Sequence, residues 1–158
     1  MKMSVDIVPV PLSEKAELWA MYQDYARELA PYAKIEPVDG VYADPRFALY
    51  WTEERRWPFW AMVGGQRAGF ALVHFGSEHN AMRMGEFYVR SEYRRIGVGT
   101  AFAQALLAKY PGPWRIRQIA ANTGATQFWR RVAQPFAYSE STFDDNGILR
   151  IEQVLTVR

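Results

Sequence analysis

The stretch MGEFYVRSEYRRIGVGTAFAQALLAKY, residues 84–110, holds residue types that bind charge. Arg94 and Arg95 stand just ahead of Gly97 and Gly99, and an almost wholly apolar helical run follows. A helix N-terminus presents up to four unpaired N–H groups and about half a positive charge. Glycines leading into it let a bulky anion approach those donors, and arginines add paired hydrogen bonds to phosphate oxygens. The R-x-x-G-x-G spacing of Arg94, Gly97 and Gly99 therefore reads as a phosphate cradle. Two better-known phosphate loops do not fit. A Walker A loop needs a lysine directly after its last glycine, and Thr100 follows Gly99. A dinucleotide fingerprint needs a third glycine where Phe102 stands and an acid about 20 positions on, near Ile119 and Ala120.

The elements around this run follow from hydrophobic spacing. Val5–Val10 reads as a short strand, and Ser13 as the cap of a helix that Pro31 stops. A turn-rich aromatic connection follows, with a short helix around Arg46–Trp51. Phe59–Val63 and Ala68–Phe75 form a hairpin about Gly64 and Gly65, and Met82–Val89 is a third strand. Thr100–Lys109 is a helix, Trp114–Ala121 a strand and Ala125–Val132 a short helix. A last hairpin turns at Asp144–Gly147. The order β-α-(α)-β-β-β-α-β-α-β-β predicts one mixed α/β domain over residues 1–158. The crossover helix makes the strands at 82–89 and 114–121 parallel neighbours.

Composition narrows the partners. The net charge is +2, but residues 83–131 carry nine basic and two acidic residues, against −3 for 1–82 and −2 for 132–158. A cationic middle segment suits an anionic small ligand, and so low a total charge speaks against nucleic acid. There are no cysteines, which excludes disulfides and a thiol nucleophile and suits the cytoplasm. No apolar run is long enough for a membrane span, and MKMSVDIVPVPL is too short and interrupted for a signal peptide. His74 and His79, the only histidines, have no second ligand at metal spacing, so no metal is expected.

Two motifs together carry a resemblance. FYVRSEYRRIGVGTAF resembles motif A of the GNAT superfamily of acyl-CoA-dependent N-acyltransferases. About thirty residues on, NTGATQFW is similar to that family's N-x-x-A-x-x-(apolar)-aromatic motif, with Asn122, Ala125, Phe128 and Trp129. The likeness is strongest to a little-characterised bacterial branch. It implies a GNAT-like sheet whose two central parallel strands splay apart around the pantetheine arm of acetyl-CoA. Backbone groups of Tyr88 and Val89 are then expected to pair with that arm, the Val89 amide polarising the thioester carbonyl. The amides of Arg94, Arg95, Ile96, Gly97, Val98, Gly99 and Thr100 are expected to hold the pyrophosphate. Asn122, Phe128 and Trp129 would border the arm from the other side, and Arg130 or Arg131 would meet the 3′-phosphate.

The implied chemistry is direct transfer of acetyl from acetyl-CoA to an amine, with no covalent enzyme intermediate and no metal. Period-two alternation puts Glu86 and Tyr88 on one strand face and Phe87 and Val89 on the other. Glu86 is the candidate base or substrate anchor, with a salt bridge to Arg83 or Arg90 as its other reading. The family often has a tyrosine acid where Trp129 stands, and an indole does not release its proton. Tyr88 or Tyr138 would then supply the proton, or solvent would assist the thiolate. An acyl-CoA-binding sensor without catalysis is the alternative this departure keeps open. The aromatic and acidic residues at 22–51 are read either as a wall for a cationic small-molecule or peptide amine or as core beneath a long loop. Homodimerisation is left open.

Overall fold

The computed structural model describes residues 4–158; the first three residues of MKMSVDIVPVPL lie outside the described residues. Seven strands form one sheet in the order β1-β2-β3-β4-β5-β7-β6. They are β1 Asp6–Pro9, β2 Arg56–Val63, β3 Gln66–Gly76, β4 Ala81–Val89, β5 Gly112–Ile119, β6 Ser139–Asp145 and β7 Ile148–Val157. Helix α1 (Lys15–Ala33) lies on one face, and α2 (Val98–Lys109) and α3 (Thr123–Ala133) lie on the other. All pairs are antiparallel except β4 with β5. The predicted α/β order and the parallel central pair are both present. No helix among the described residues is long and apolar enough to cross a membrane.

Two apolar layers hold the sheet between the helices. Phe102, Ala103, Leu106 and Leu107 of α2 are buried against Phe59, Val73, Trp114 and Ile116. Burying each large side chain contributes roughly 1.5–3 kcal/mol, so this helix is fixed by its packing rather than by its caps. The opposite layer joins Leu18, Tyr22 and Ala26 of α1 to Phe47, Trp60, Phe70 and Leu72. The aromatic loop is therefore core: Phe47 and Tyr50, on a 3-10 turn at Phe47–Trp51, are both buried.

Most boundaries differ from the sequence reading by a few residues, and three of the differences have a local reason or consequence. Pro31 lies inside α1, because a proline in the last turn removes one hydrogen bond without blocking the next three residues. Lys34 then ends the helix in the left-handed conformation, with its N–H on the Ala30 carbonyl. Helix α2 starts two residues earlier than predicted, so Val98 and Gly99 belong to its first turn and Gly97 is its cap. Strand β5 runs Gly112–Ile119, so Pro113 stands within it rather than only closing the helix.

The central pair departs from regularity. β4 and β5 pair only through Met82–Trp114 and Arg83–Arg115 and then diverge, although both strands continue. A bulge in β4 helps to shape the opening. Leu72 lies opposite Glu86 but Val73 lies opposite Met84, leaving Gly85 as the extra residue. A Cβ at position 85 would come within 2.8 Å of the Tyr50 hydroxyl and 2.9 Å of the Leu72 carbonyl, so the bulge requires glycine. Met82 and Met84 face the α2 layer, and simple alternation would send Glu86 there too. The extra residue instead turns Glu86 toward α1.

Candidate active site

The opening between β4 and β5 is a small cavity of about 110 Å³. Met84–Phe87, Ile116–Ile119, Asn122, Ala125 and Trp129 line it, with Tyr25 and Leu29 of α1. It adjoins a larger cavity of about 790 Å³, and Tyr25, Gly85 and Glu86 belong to the lining of both. Glu86 thus stands where the strand gap meets the wider chamber.

Glu86 is half-buried and accepts a hydrogen bond from the Tyr25 hydroxyl. Burial pushes its carboxyl up to about 7; the Tyr25 bond opposes this, and the Asp44 charge adds to it. Among the described residues it pairs with neither Arg83 nor Arg90, the partners of its salt-bridge reading. Arg83 reaches Glu78 and Glu152, and Arg90 reaches Glu92. A carboxyl titrating near neutrality and touching a cavity has the properties of a proton acceptor. Tyr25 itself is pushed well above the usual phenol range by burial and by Glu86, and it remains a donor.

Tyr88 shares that face but points elsewhere. Its hydroxyl donates to Glu28 Oε2 at 2.9 Å, and its ring lies under the Arg94 guanidinium at 5.4 Å. Burial and then the Glu28 bond push the phenol up to about 12, which makes it a poor acid at neutral pH. Backbone parity separates Tyr88 from Val89. The Arg90 N–H donates to the Ala68 carbonyl, and Val89 lies opposite Gly69. In an antiparallel ladder this turns the Val89 N–H and C=O, with those of Phe87, toward the β5 side, while those of Tyr88 face β3. Phe87 and Val89, rather than Tyr88 and Val89, offer backbone groups to the gap.

At the mouth of α2, Gly97 has φ 90° and caps the helix, and the first bond of the helix runs from the Ala101 N–H to the Gly97 carbonyl. The amides of Val98, Gly99 and Thr100 form the first turn and point out of the helix end. Arg95 precedes them in the left-handed region at φ 64°, and both it and Ile96 are exposed. Val98 is fully buried and anchors the turn against Val89 and Ala68. A Cβ on Gly99 would meet Phe128 at 3.2 Å, so glycine there lets α2 approach α3 closely. Arg94 is engaged elsewhere. Its amide bonds the Ser91 carbonyl, its Nε bonds the Val89 carbonyl at 2.7 Å, and its far end pairs with Glu28. It fixes β4 to α1 instead of adding to the cradle.

Asn122 caps α3, its side-chain oxygen accepting the Ala125 N–H at 3.3 Å. Phe128 and Trp129 pack with Phe87, at ring separations of 5.6 and 4.8 Å. The indole N–H groups of Trp51, Trp60 and Trp114 all have protein partners. Among the described residues Trp129 makes no such bond, yet none of their side-chain polar atoms is both buried and unpartnered. Its N–H is therefore accessible, and its residue lines the gap. Arg130 is held by Glu140 through two bonds of 2.9 and 2.7 Å, and among the described residues no such bond engages Arg131. His74 is half-buried beside Tyr50 and is kept neutral, desolvation lowering its pKa to about 4.

A sequence model described as the acetyltransferase (GNAT) family matches residues 17–133. The chain belongs to the GNAT acetyltransferase family. Solved structures of GNAT proteins share its fold. An acetyltransferase from Thermus thermophilus superposes with a TM-score of 0.74 at 18% identity, covering 99% of this chain and 100% of that one. The aminoglycoside acetyltransferase AAC(6')-Ib, solved with coenzyme A, gives 0.71 at 14% identity, with 97% and 95% covered. The ribosomal-protein-S18-alanine N-acetyltransferase from Escherichia coli gives 0.64 at 14% identity, with 98% and 94% covered. No curated protein matches the sequence significantly. For this GNAT chain, the divergence of β4 from β5 supplies the splayed central strands that the sequence motifs imply.

The residues suit acetyl-CoA. A cradle of free-facing amides lies at one end, a strand gap where β4 and β5 no longer pair lies in the middle, and a raised carboxyl lies at the other end. Sequence reasoning missed Tyr25 as the partner of Glu86, and it missed Phe87 as a backbone contributor. It also missed the bulge, for which the isolated Gly85 inside a strand pattern was the available signal.

Proposed function

We propose that this protein is an N-acetyltransferase that moves acetyl from acetyl-CoA directly to an amine, with residues 1–158 acting as one domain. The observation that carries the reading is the position of Glu86 at the junction of the strand gap and the acceptor chamber. The amides from Arg95 to Thr100, with the Arg95 charge, bind the pyrophosphate. The backbone groups of Phe87 and Val89 align the pantetheine arm as a strand would. The Val89 N–H polarises the thioester carbonyl. Asn122 keeps its amide nitrogen for the arm while its oxygen caps α3, and Phe128 closes the cradle side.

Glu86 receives the proton of the attacking amine as the C–N bond forms and the C–S bond breaks. An alkyl ammonium, with a pKa near ~10.4, needs such an acceptor at neutral pH. The leaving sulfur takes its proton from solvent, and the Trp129 N–H donates a hydrogen bond that eases its departure. This assigns to Trp129 a donor role that does not need it to ionise. Arg131 is the arginine of the 130–131 pair left to meet a 3′-phosphate.

The test is coenzyme A thiol release from acetyl-CoA over a panel of amines, with mass detection of the acetylated product. Release that depends on the amine and yields an N-acetyl product is expected. Tight acetyl-CoA binding with no amine-dependent release would instead identify a sensor or partner-binding domain.

A further inference from the structure

The chamber next to Glu86 has an unusual floor. Arg83 and Arg115 lie directly opposite each other on the parallel strands β4 and β5, and Arg117 follows two residues on. Like charges placed opposite one another across strands are destabilising. A single carboxylate answers all three. Glu152, opposite Arg117 on β7, lies 2.6 Å from Arg117, 2.7 Å from Arg115 and 3.9 Å from Arg83. Burial works against its ionisation, but the three arginines outweigh that and hold its carboxyl below the usual range.

Other carboxylates do not remove the surplus. Asp145 is already paired with Arg150 at 2.7 Å. Glu78 reaches Arg83 only at 4.0 Å, from a side chain 78% exposed. Asp44 accepts the Arg46 backbone N–H at 2.9 Å, and Glu86 is held by Tyr25. Burial and the neighbouring Arg117 push Arg83 below the usual arginine range, as expected where positive charge is in excess. The aromatic wall formed by Tyr22, Tyr25 and Tyr50 thus faces a cationic floor, which a purely cationic acceptor would meet unfavourably.

We infer that the acceptor is a small amine that also carries an anionic group, a phosphate or a carboxylate. Arg83, Arg115 and Arg117 hold that group while the amine lies at Glu86. This rests on the acetyl-transfer reading above and narrows its substrate class. The guanidiniums supply paired donors to either anion, and the bound anion completes the charge balance that Glu152 leaves unfinished.

The experiment compares matched amines on the full chain: O-phosphoethanolamine against ethanolamine, β-alanine against propylamine, and spermidine as a polycation. Thiol release is measured with acetyl-CoA, and thermal shift is measured with saturating coenzyme A. At least one member bearing an anionic group is expected to exceed its match without that group tenfold or more in kcat/KM and to raise Tm. Which pair separates tells phosphate from carboxylate. Arg83→Gln and Arg115→Gln, both outside the lining of the strand gap, are each expected to erase most of that preference, while an unchanged acetyl-CoA thermal shift shows that the fold is intact. A preference for spermidine, no preference in either pair, or a preference surviving both variants would overturn the inference and leave acetyl transfer standing. If no amine is acetylated but the anionic members still stabilise wild type and not the variants, the anion site stands and the acetyl-transfer reading fails.

Discussion

Glu86→Gln is expected to lower kcat by about 10²–10⁴-fold, the usual contribution of a positioned general base. Acetyl-CoA affinity should stay within about threefold, because the carboxyl faces the chamber at the far end of the gap from the cradle. The pH dependence gives a second signature. The Glu86 carboxyl is raised to about 7, so wild-type kcat/KM should rise with pH through an inflection near neutrality and flatten above it. Tyr25→Phe removes the largest influence holding that value down, ahead of the Arg150 and Arg46 charges, so its inflection should move to higher pH while activity above it persists. A residue that merely filled space at position 25 would leave the inflection in place.

Stability should change in the opposite sense to activity. An acid whose folded pKa lies above its unfolded value favours the folded state at low pH, and that contribution is lost as pH rises through the folded pKa. For Glu86 the window runs from about 4.5 to about 7. Glutamine escapes this, so Glu86→Gln is expected to raise stability at pH 8 by on the order of 1–3 kcal/mol and to bring little at pH 4. Thermal unfolding at the two pH values checks the sign. An active site that costs stability is a familiar trade.

The second large effect concerns the cradle. Gly97→Val is expected to weaken acetyl-CoA binding on the order of 100-fold, since hydrogen bonds to charged groups contribute about 1.5–3 kcal/mol each. The variant carries a stability cost as well. Gly97 sits at φ 90°, where a β-branched residue is strained by roughly 1–3 kcal/mol. Arg95→Glu separates the two effects, because it reverses charge at the cradle and leaves the glycine turn untouched. It should lower affinity at least tenfold with Tm nearly unchanged. Unaltered affinity in both variants would place the pyrophosphate elsewhere.

Much of the fold could be read because local signals agreed with the tertiary arrangement. Gly64-Gly65 and the Asp144–Gly147 turn each joined two strands of matching pattern, and the apolar run at 98–109 could only be a buried helix. The cradle was legible for the same reason, since glycines and arginines at a helix mouth leave few alternatives. What escaped depended on contacts distant in sequence. Tyr25 meets Glu86 across 61 positions, and Arg94 reaches Glu28 across 66, so neither pairing has a local trace. The cationic floor is assembled from β4, β5 and β7, which spacing within one segment does not reveal. Acids at 22–51 suggested a negative acceptor wall. Asp24 pairs with Arg27 and Glu28 with Arg94, so their charge is largely balanced before it reaches the chamber.

The most direct measurement is the thermal shift of wild type with acetyl-CoA, beside ATP and adenosine as controls. A ligand at about 100 times its dissociation constant adds about 2.7 kcal/mol, which for a chain of this length raises Tm by roughly 5–11 °C. The account predicts a shift of that size with acetyl-CoA, little with the controls, and its fall to about half or less in Arg95→Glu at the same ligand concentration. No shift at saturating acetyl-CoA, or an equal shift with ATP, would contradict it.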